Sequence, residues 1–205
     1  MALASPARAQ DPQSSSDETA CPAEDISLAA TDSESGSGSG ASAASDAYTV
    51  PTASDTPAAD VAPKTEAEAE VQDVITQDGL HVVHFWAPWC PNAKNELEAG
   101  WSSLIANNPD VSFTFVSIWN DGEDGASVLD RYDIPTDRVT TLQQPDLGPS
   151  DTEANRRKAF LGIPMTWSPS TWVFHNNGEL AFAMNYGEMP MDTLQSLIDA
   201  TQNDW

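Results

Sequence analysis

Large apolar side chains are almost absent from residues 1–64, which consist mainly of Ala, Ser, Asp, Gly, Thr and Pro and include the linker-like run Ser35-Gly-Ser-Gly-Ser-Gly40. Such a segment cannot bury enough apolar surface to offset its ordering entropy, which predicts a disordered acidic tail over 1–64 and a folded domain over 65–205. From Thr65 the pattern changes. Thr65 is a cap candidate, acids follow it, and Val71, Val74 and Ile75 recur at helical spacing before Gly79 ends the helix. Leu80–Trp86 reads as a buried strand, and a helix is predicted from Pro91 to about Ala106. Val111–Ile118 alternates apolar and polar residues as a second strand does. Asn120–Gly125 is a polar loop, Ala126–Tyr132 a short helix, Val139–Leu142 a short strand, and Asp151–Leu161 a helix capped by Ser150 or Asp151. Residues 168–180 read as strand, turn, strand, with Asn177-Gly178 as a short-hairpin signal and Ala181–Met184 completing the pair. An amphipathic helix, Met191–Thr201, closes an α/β domain.

Charge narrows the partners. The formal net charge is −24, with 10 acids and 2 bases in residues 1–65 and 22 acids and 6 bases in 66–205, so the folded part is acidic too. No basic stripe exists to release counterions, which argues against nucleic acid. Solubility in a salty medium and an acidic functional surface both account for such a balance. The two cysteines, Cys21 and Cys90, form neither a disulfide framework nor a C-x₂-C zinc pattern, and no apolar run is long enough to cross a membrane. Ala7-Arg8-Ala9 before Gln10 has the form of a secretory cleavage end without its apolar core. Two explanations stand: a start placed too late, which would leave room for an upstream membrane tether, or an ordinary chain end. No apolar segment precedes Cys21, which argues against a lipoprotein anchor.

The chemistry concentrates at residues 81–94, where a strand runs into a tight turn, a cysteine, and a helix starting at Pro91. Unpaired backbone N–H groups and the helix dipole there favour a thiolate, so Cys90 is the candidate nucleophile. A buried, inert thiol is the alternative. Phe85-Trp86-Ala87-Pro88-Trp89-Cys90 resembles the active-site approach of the thioredoxin superfamily, a strand followed by W-A-x-W-C-x-x-C. Ala93 stands where that pattern has its resolving cysteine. The segment from Ser168-Pro169 to Asn177-Gly178 resembles the P-T-T-F-L-I-D-x-D-G stretch of TlpA/ResA-type thioredoxin-like proteins. That resemblance implies a central mixed sheet flanked by helices. It also implies that Pro169 is cis, preceded by Ser168 and facing Cys90. The stretch of about fifty residues between Trp119 and Ser168 exceeds a minimal crossover and matches the insertion of the TlpA type.

The same resemblance assigns the surrounding residues. Trp86 is expected to pack into the core and Trp89 to form part of a partner-docking face. His84 stands where the family has a buried acid serving the resolving cysteine; it is read either as a surviving proton carrier or as a hydrogen-bonded core histidine. His175 is expected to be exposed. One thiol with a histidine is a poor soft-metal site, so no metal or cofactor is expected. One-cysteine peroxidases of this fold carry a threonine where this chain has Ala87. Arg156-Arg157-Lys158, the one basic cluster of the domain, reads as a solvated helix face or as a rim for an acidic partner.

Two functions follow: a thiol–disulfide protein acting through Cys90, with an external thiol releasing the mixed disulfide, or a redox-silent module whose Trp89–Cys90–Pro169 groove takes an extended peptide. The first implies protein or small-molecule thiols and disulfides as partners, and the family suggests an extracytoplasmic setting. Cys21 is not expected to resolve Cys90, because nothing around it lowers its pKa or guides it.

Overall fold

The computed structural model describes residues 61–185 and 187–202. The Gly-Ser run, the signal-like start and Cys21 lie outside them. Helix α1 spans Glu66–Ile75, and the Thr65 hydroxyl accepts from the Glu68 N–H at its start. Strand β1, Leu80–Trp86, is buried along its whole length because it lies at the centre of the sheet. It pairs parallel with β2 (Val111–Ser117) on one side and antiparallel with β6 (Ser170–Phe174) on the other. β3 (Thr140–Gln143) extends the parallel edge, and β7 (Leu180–Met184) the antiparallel edge, giving the order β3-β2-β1-β6-β7. The β6–β7 turn closes through His175 and Glu179, with Gly178 at φ +78°, as the Asn-Gly pair requires. Helix α5, Met191–Thr201, packs Leu194 and Ile198 into the core.

Two expectations are corrected. The single helix from Pro91 breaks into α2 (Pro91–Glu98) and α3 (Trp101–Asn107) at Gly100, whose φ of +125° lies outside helical space. The break is coupled to Trp101, fully buried against the rings of His84, Phe113 and Phe115. The predicted helix over 151–161 is a single 3₁₀ turn, Glu153–Asn155, followed by a small hairpin, β4 (Ala159–Phe160) and β5 (Ile163–Pro164). Core packing decides this: Phe160 is fully buried, with ring centroids 4.8 Å from Phe85 and 6.1 Å from Trp172. Next to α1, the Val61 carbonyl accepts from Gln72 and the Lys64 N–H donates to Glu68.

The rest of the insertion is α4 (Gly125–Arg131) and the chain that carries β3 to the sheet edge. Gly125 lets α4 approach β2 closely, because a Cβ there would come 2.9 Å from the Ser117 hydroxyl and 3.5 Å from the Trp86 ring. Trp86, Trp101, Trp172 and five buried phenylalanines fill the two faces of the sheet. No helix among the described residues is long and apolar enough to cross a membrane.

Candidate active site

The end of β1 and the start of α2 build the site. After Trp86 the chain turns tightly, with the Cys90 N–H donating to the Ala87 carbonyl at 3.0 Å. The turn is held from both sides. The Ile118 N–H donates to the Trp86 carbonyl at 2.8 Å, and the Ala87 N–H donates to the Ser168 hydroxyl at 2.8 Å. Cys90 is the N-cap residue of α2, in extended conformation, with Pro91 at the first helical position as its missing N–H allows. Across from it, the Ser168–Pro169 peptide bond is cis and opens β6. Cys90 Sγ lies 3.3 Å from the Ser168 carbonyl oxygen. Thus Cys90, Ser168 and Pro169, far apart in sequence, share one buried locus, while Pro91 stands exposed beside them.

Cys90 is disulfide-bonded in this structure. The chain's other cysteine, Cys21, lies outside the described residues. Ala93 occupies the resolving position on the buried face of α2 and carries no sulfur.

The two tryptophans of the approach differ. Trp86 is fully buried. Trp89 is half-buried, and its indole N–H donates to the Trp119 carbonyl at 2.6 Å. Trp119, at φ +48°, donates its own indole N–H to the Arg157 carbonyl. The Arg156 guanidinium sits 5.6 Å from the ring centroids of both Trp89 and Trp119 and donates to the Ser150 carbonyl. The basic cluster therefore is not a helix face. Arg156 borders the active-site turn, Lys158 pairs with Glu153, and Arg157 props Trp119 through its backbone.

His84 lies inside the sheet. Its Nδ1 is 2.9 Å from the hydroxyl of Thr171, its register partner on β6, and Nε2 has no partner among the described residues. Burial lowers its pKa to about 3, so the imidazole is neutral through the physiological range. His175 is half-buried rather than exposed.

Glu96 is not among the candidate residues legible in the sequence motifs. It lies one turn beyond Ala93 on the buried face of α2 and is only 2% exposed. Neither carboxylate oxygen has a hydrogen-bond partner of good geometry among the described residues. Burial raises its pKa to about 8; the Met189 backbone N–H favours the charged form and offsets part of this, while Glu188 adds a smaller upward push. The available signal was its place in the wheel: Ala93, Glu96 and Leu97 form one stripe, so an acid stands in an apolar face. Among the described residues there is no group of three or more His, Cys, Asp or Glu arranged to hold a metal ion.

The sheet order, the cysteine at the head of α2 and the cis-proline opposite it define a thioredoxin-like fold. No protein-family model matches the chain, and no curated protein matches its sequence. Among solved structures it is similar to a secreted disulfide oxidoreductase of Mycobacterium tuberculosis homologous to E. coli DsbE, at 25% identity over 62% of this chain and 85% of that one, with a TM-score of 0.46. It is also similar to the MTB protein dsbF (23% identity, 63% and 85% covered, TM-score 0.43) and to StoA from Bacillus subtilis (19%, 59% and 83%, 0.39).

Proposed function

We propose that this protein is a thiol–disulfide exchange protein whose reacting sulfur is Cys90. One observation carries the reading: the cysteine at the head of α2, facing the cis-proline loop, is engaged in a disulfide bond. Once reduced, its thiolate is favoured by the helix end. It attacks a disulfide sulfur of a client, forms a mixed disulfide and expels one client thiolate. Release then requires a second thiol that attacks the Cys90 sulfur. Position 93 cannot supply it, so the site on α2 is monothiol and the second thiol comes from outside that helix. Pro169 and Ser168 shape the locus, Trp89 and Arg156 line its approach, and His84 holds β1 to β6 as a neutral packing residue. An extracytoplasmic setting suits this chemistry, because disulfides persist there. The redox-silent module has no separate observation in its favour.

The test is the thiol pKa of Cys90 in reduced protein, followed by pH-dependent alkylation and peptide mapping so that Cys21 is scored separately. Alkylation of Cys90 is expected to titrate well below the ordinary ~8.5. A midpoint at or above that value overturns the reading.

A further inference from the structure

We propose that a pocket beside Trp119 is a second client subsite, where the Gln144 carboxamide and the Arg157 guanidinium bind a peptide unit of the client's main chain. The inference rests on Cys90 being the exchange sulfur and names the substrate class of that site: a disulfide carried on an extended polypeptide.

Two buried side chains carry it. Gln144, just beyond β3, is 3% exposed. Its backbone is engaged, the N–H donating to the Ser117 carbonyl at 2.9 Å and the carbonyl accepting from the Asn120 carboxamide at 3.0 Å. Its own carboxamide is not: neither the oxygen nor the nitrogen has a hydrogen-bond partner among the described residues, and the same holds for Arg157 Nε. Enclosed polar atoms left this way cost free energy, so they mark a place where another group's donor and acceptor belong. Crowding is not the cause. Asn120, 1% exposed in the same corner, has both ends of its carboxamide paired, with the Gln144 carbonyl and the Gly122 N–H.

Gln144 and Arg157 line one pocket together with buried Ile118 and Trp119 and exposed Asp146 and Leu147. Its volume of about 10 Å³ is room for one small polar group. The chemistry of the lining selects that group. Asp146 and Arg157 oppose each other in sign, which disfavours an ionic ligand. A carboxylate would offer acceptors alone and leave the Gln144 oxygen unpaired, and an ammonium would offer donors alone and face Arg157. A peptide unit offers one of each: its carbonyl accepts from Gln144 Nε2 or Arg157 Nε, and its N–H donates to Gln144 Oε1. Leu147, 46% exposed and one of two large apolar side chains exposed among the described residues, adds an apolar contact beside it.

The pocket adjoins the active-site turn. The Ile118 N–H donates to the Trp86 carbonyl at 2.8 Å, and the Trp119 carbonyl accepts from the Trp89 indole at 2.6 Å. The Trp119 indole N–H in turn donates to the Arg157 carbonyl at 3.2 Å. Two lining residues are therefore bonded to the turn that ends in Cys90. A polypeptide attacked by Cys90 extends about 3.3–3.6 Å per residue away from its cysteine and can lie along this wall, whereas a small disulfide has nothing to place there.

The experiment uses the reduced full-length chain and its Gln144→Leu and Arg157→Met variants. Each is given two disulfides: 2-hydroxyethyl disulfide, which has no amide, and a short uncharged peptide whose single cysteine is linked to 2-mercaptoethanol. In each reaction the Cys90 thiolate bonds to one disulfide sulfur and expels the other as a thiolate, and the adduct on Cys90 is timed by peptide mapping. Both variants should form the peptide adduct about tenfold more slowly than the unaltered chain, and the 2-hydroxyethyl adduct at the same rate. Gln144→Leu breaks no side-chain hydrogen bond among the described residues, so its melting midpoint should not fall. Equal slowing with both disulfides and a lower midpoint would mean that an ordered water ties the carboxamide into the fold. Unchanged rates with both would mean that the pocket takes no part of the client. Either result overturns the inference and leaves Cys90 as the exchange sulfur. If Gln144→Leu does not fold, Arg157→Met carries the same comparison. If Cys90 of the unaltered chain reacts with neither disulfide, the underlying reading fails as well.

Discussion

Glu96 shows how one side chain couples the site's surroundings to pH. Its folded pKa of about 8 stands above the ordinary 4.5, so between those values the folded protein holds a proton that the unfolded chain has released. Stability from this group is complete below pH 4.5 and is lost as pH rises through 8. Glu96→Gln keeps the shape of the protonated acid and removes the titration. Each tenfold change in proton affinity is worth about 1.4 kcal/mol, so urea unfolding should show the variant gaining a few kcal/mol over the parent between pH 5 and pH 9. Parallel pH profiles for the two proteins would mean that the carboxylate finds water or a donor on ionising. His84 works in the opposite sense. Its depressed pKa leaves the folded state unprotonated between 6.5 and about 3 while the unfolded chain binds a proton, so its contribution is lost as pH falls. At the residue scale, His84 was legible as a core histidine or a proton carrier, but not as one or the other. Only its enclosure by Trp101, Phe115 and the sheet sets its charge.

Among the elements, the β1–α2 unit reads directly from sequence because every determinant is local: an apolar run, a turn, a cysteine and a proline at the first helical position. The insertion does not, because its path is decided by what it covers. Phe160 needs the pocket between Phe85 and Trp172, and Arg156 is placed by two tryptophans about thirty residues apart. α4 offers the sharpest test of this packing. Its first residue, Gly125, leaves no room for a side chain against Ser117. Gly125→Ala should therefore destabilise the domain by about 1–3 kcal/mol despite alanine's better helix propensity. The check is the urea midpoint at an unchanged slope. An unchanged or raised midpoint would mean that α4 shifts freely and does not brace Trp86.

For the molecule as a whole, acidity dominates. With 32 acids and 8 bases, like charges outnumber favourable pairs, and the described ion pairs, Arg131–Glu123 and Lys158–Glu153, are surface-exposed. Exposed pairs contribute little, whereas self-repulsion acts over the whole surface and is screened by salt. Screening shortens from about 30 Å at 0.01 M to about 3 Å at 1 M. The melting temperature should accordingly rise by several degrees across that range of sodium chloride. A flat or falling response would show that the charges are spaced widely enough not to interact, and an equal rise in sucrose would assign the effect to surface exclusion.

What the sequence determined by itself was whatever short-range pattern encodes: the central strand, the cysteine at a helix head, the Asn-Gly hairpin and the closing helix, with the thioredoxin-like fold implied by the resemblance that two of these segments carry. Those features depend on residues a few positions apart, where periodicity, capping and turn chemistry act. What the tertiary structure decided was everything set by distant neighbours. It broke the long helix so that Trp101 meets His84, and drew residues 151–164 from a helix into a turn and hairpin. It also enclosed Glu96 without a strong partner and brought Ser168 within 3.3 Å of a sulfur 78 positions earlier. The physical reason is common to all of them. Burial, and with it charge state and reactivity, is a property of the space around a side chain, which the order of residues specifies only once the whole chain has folded.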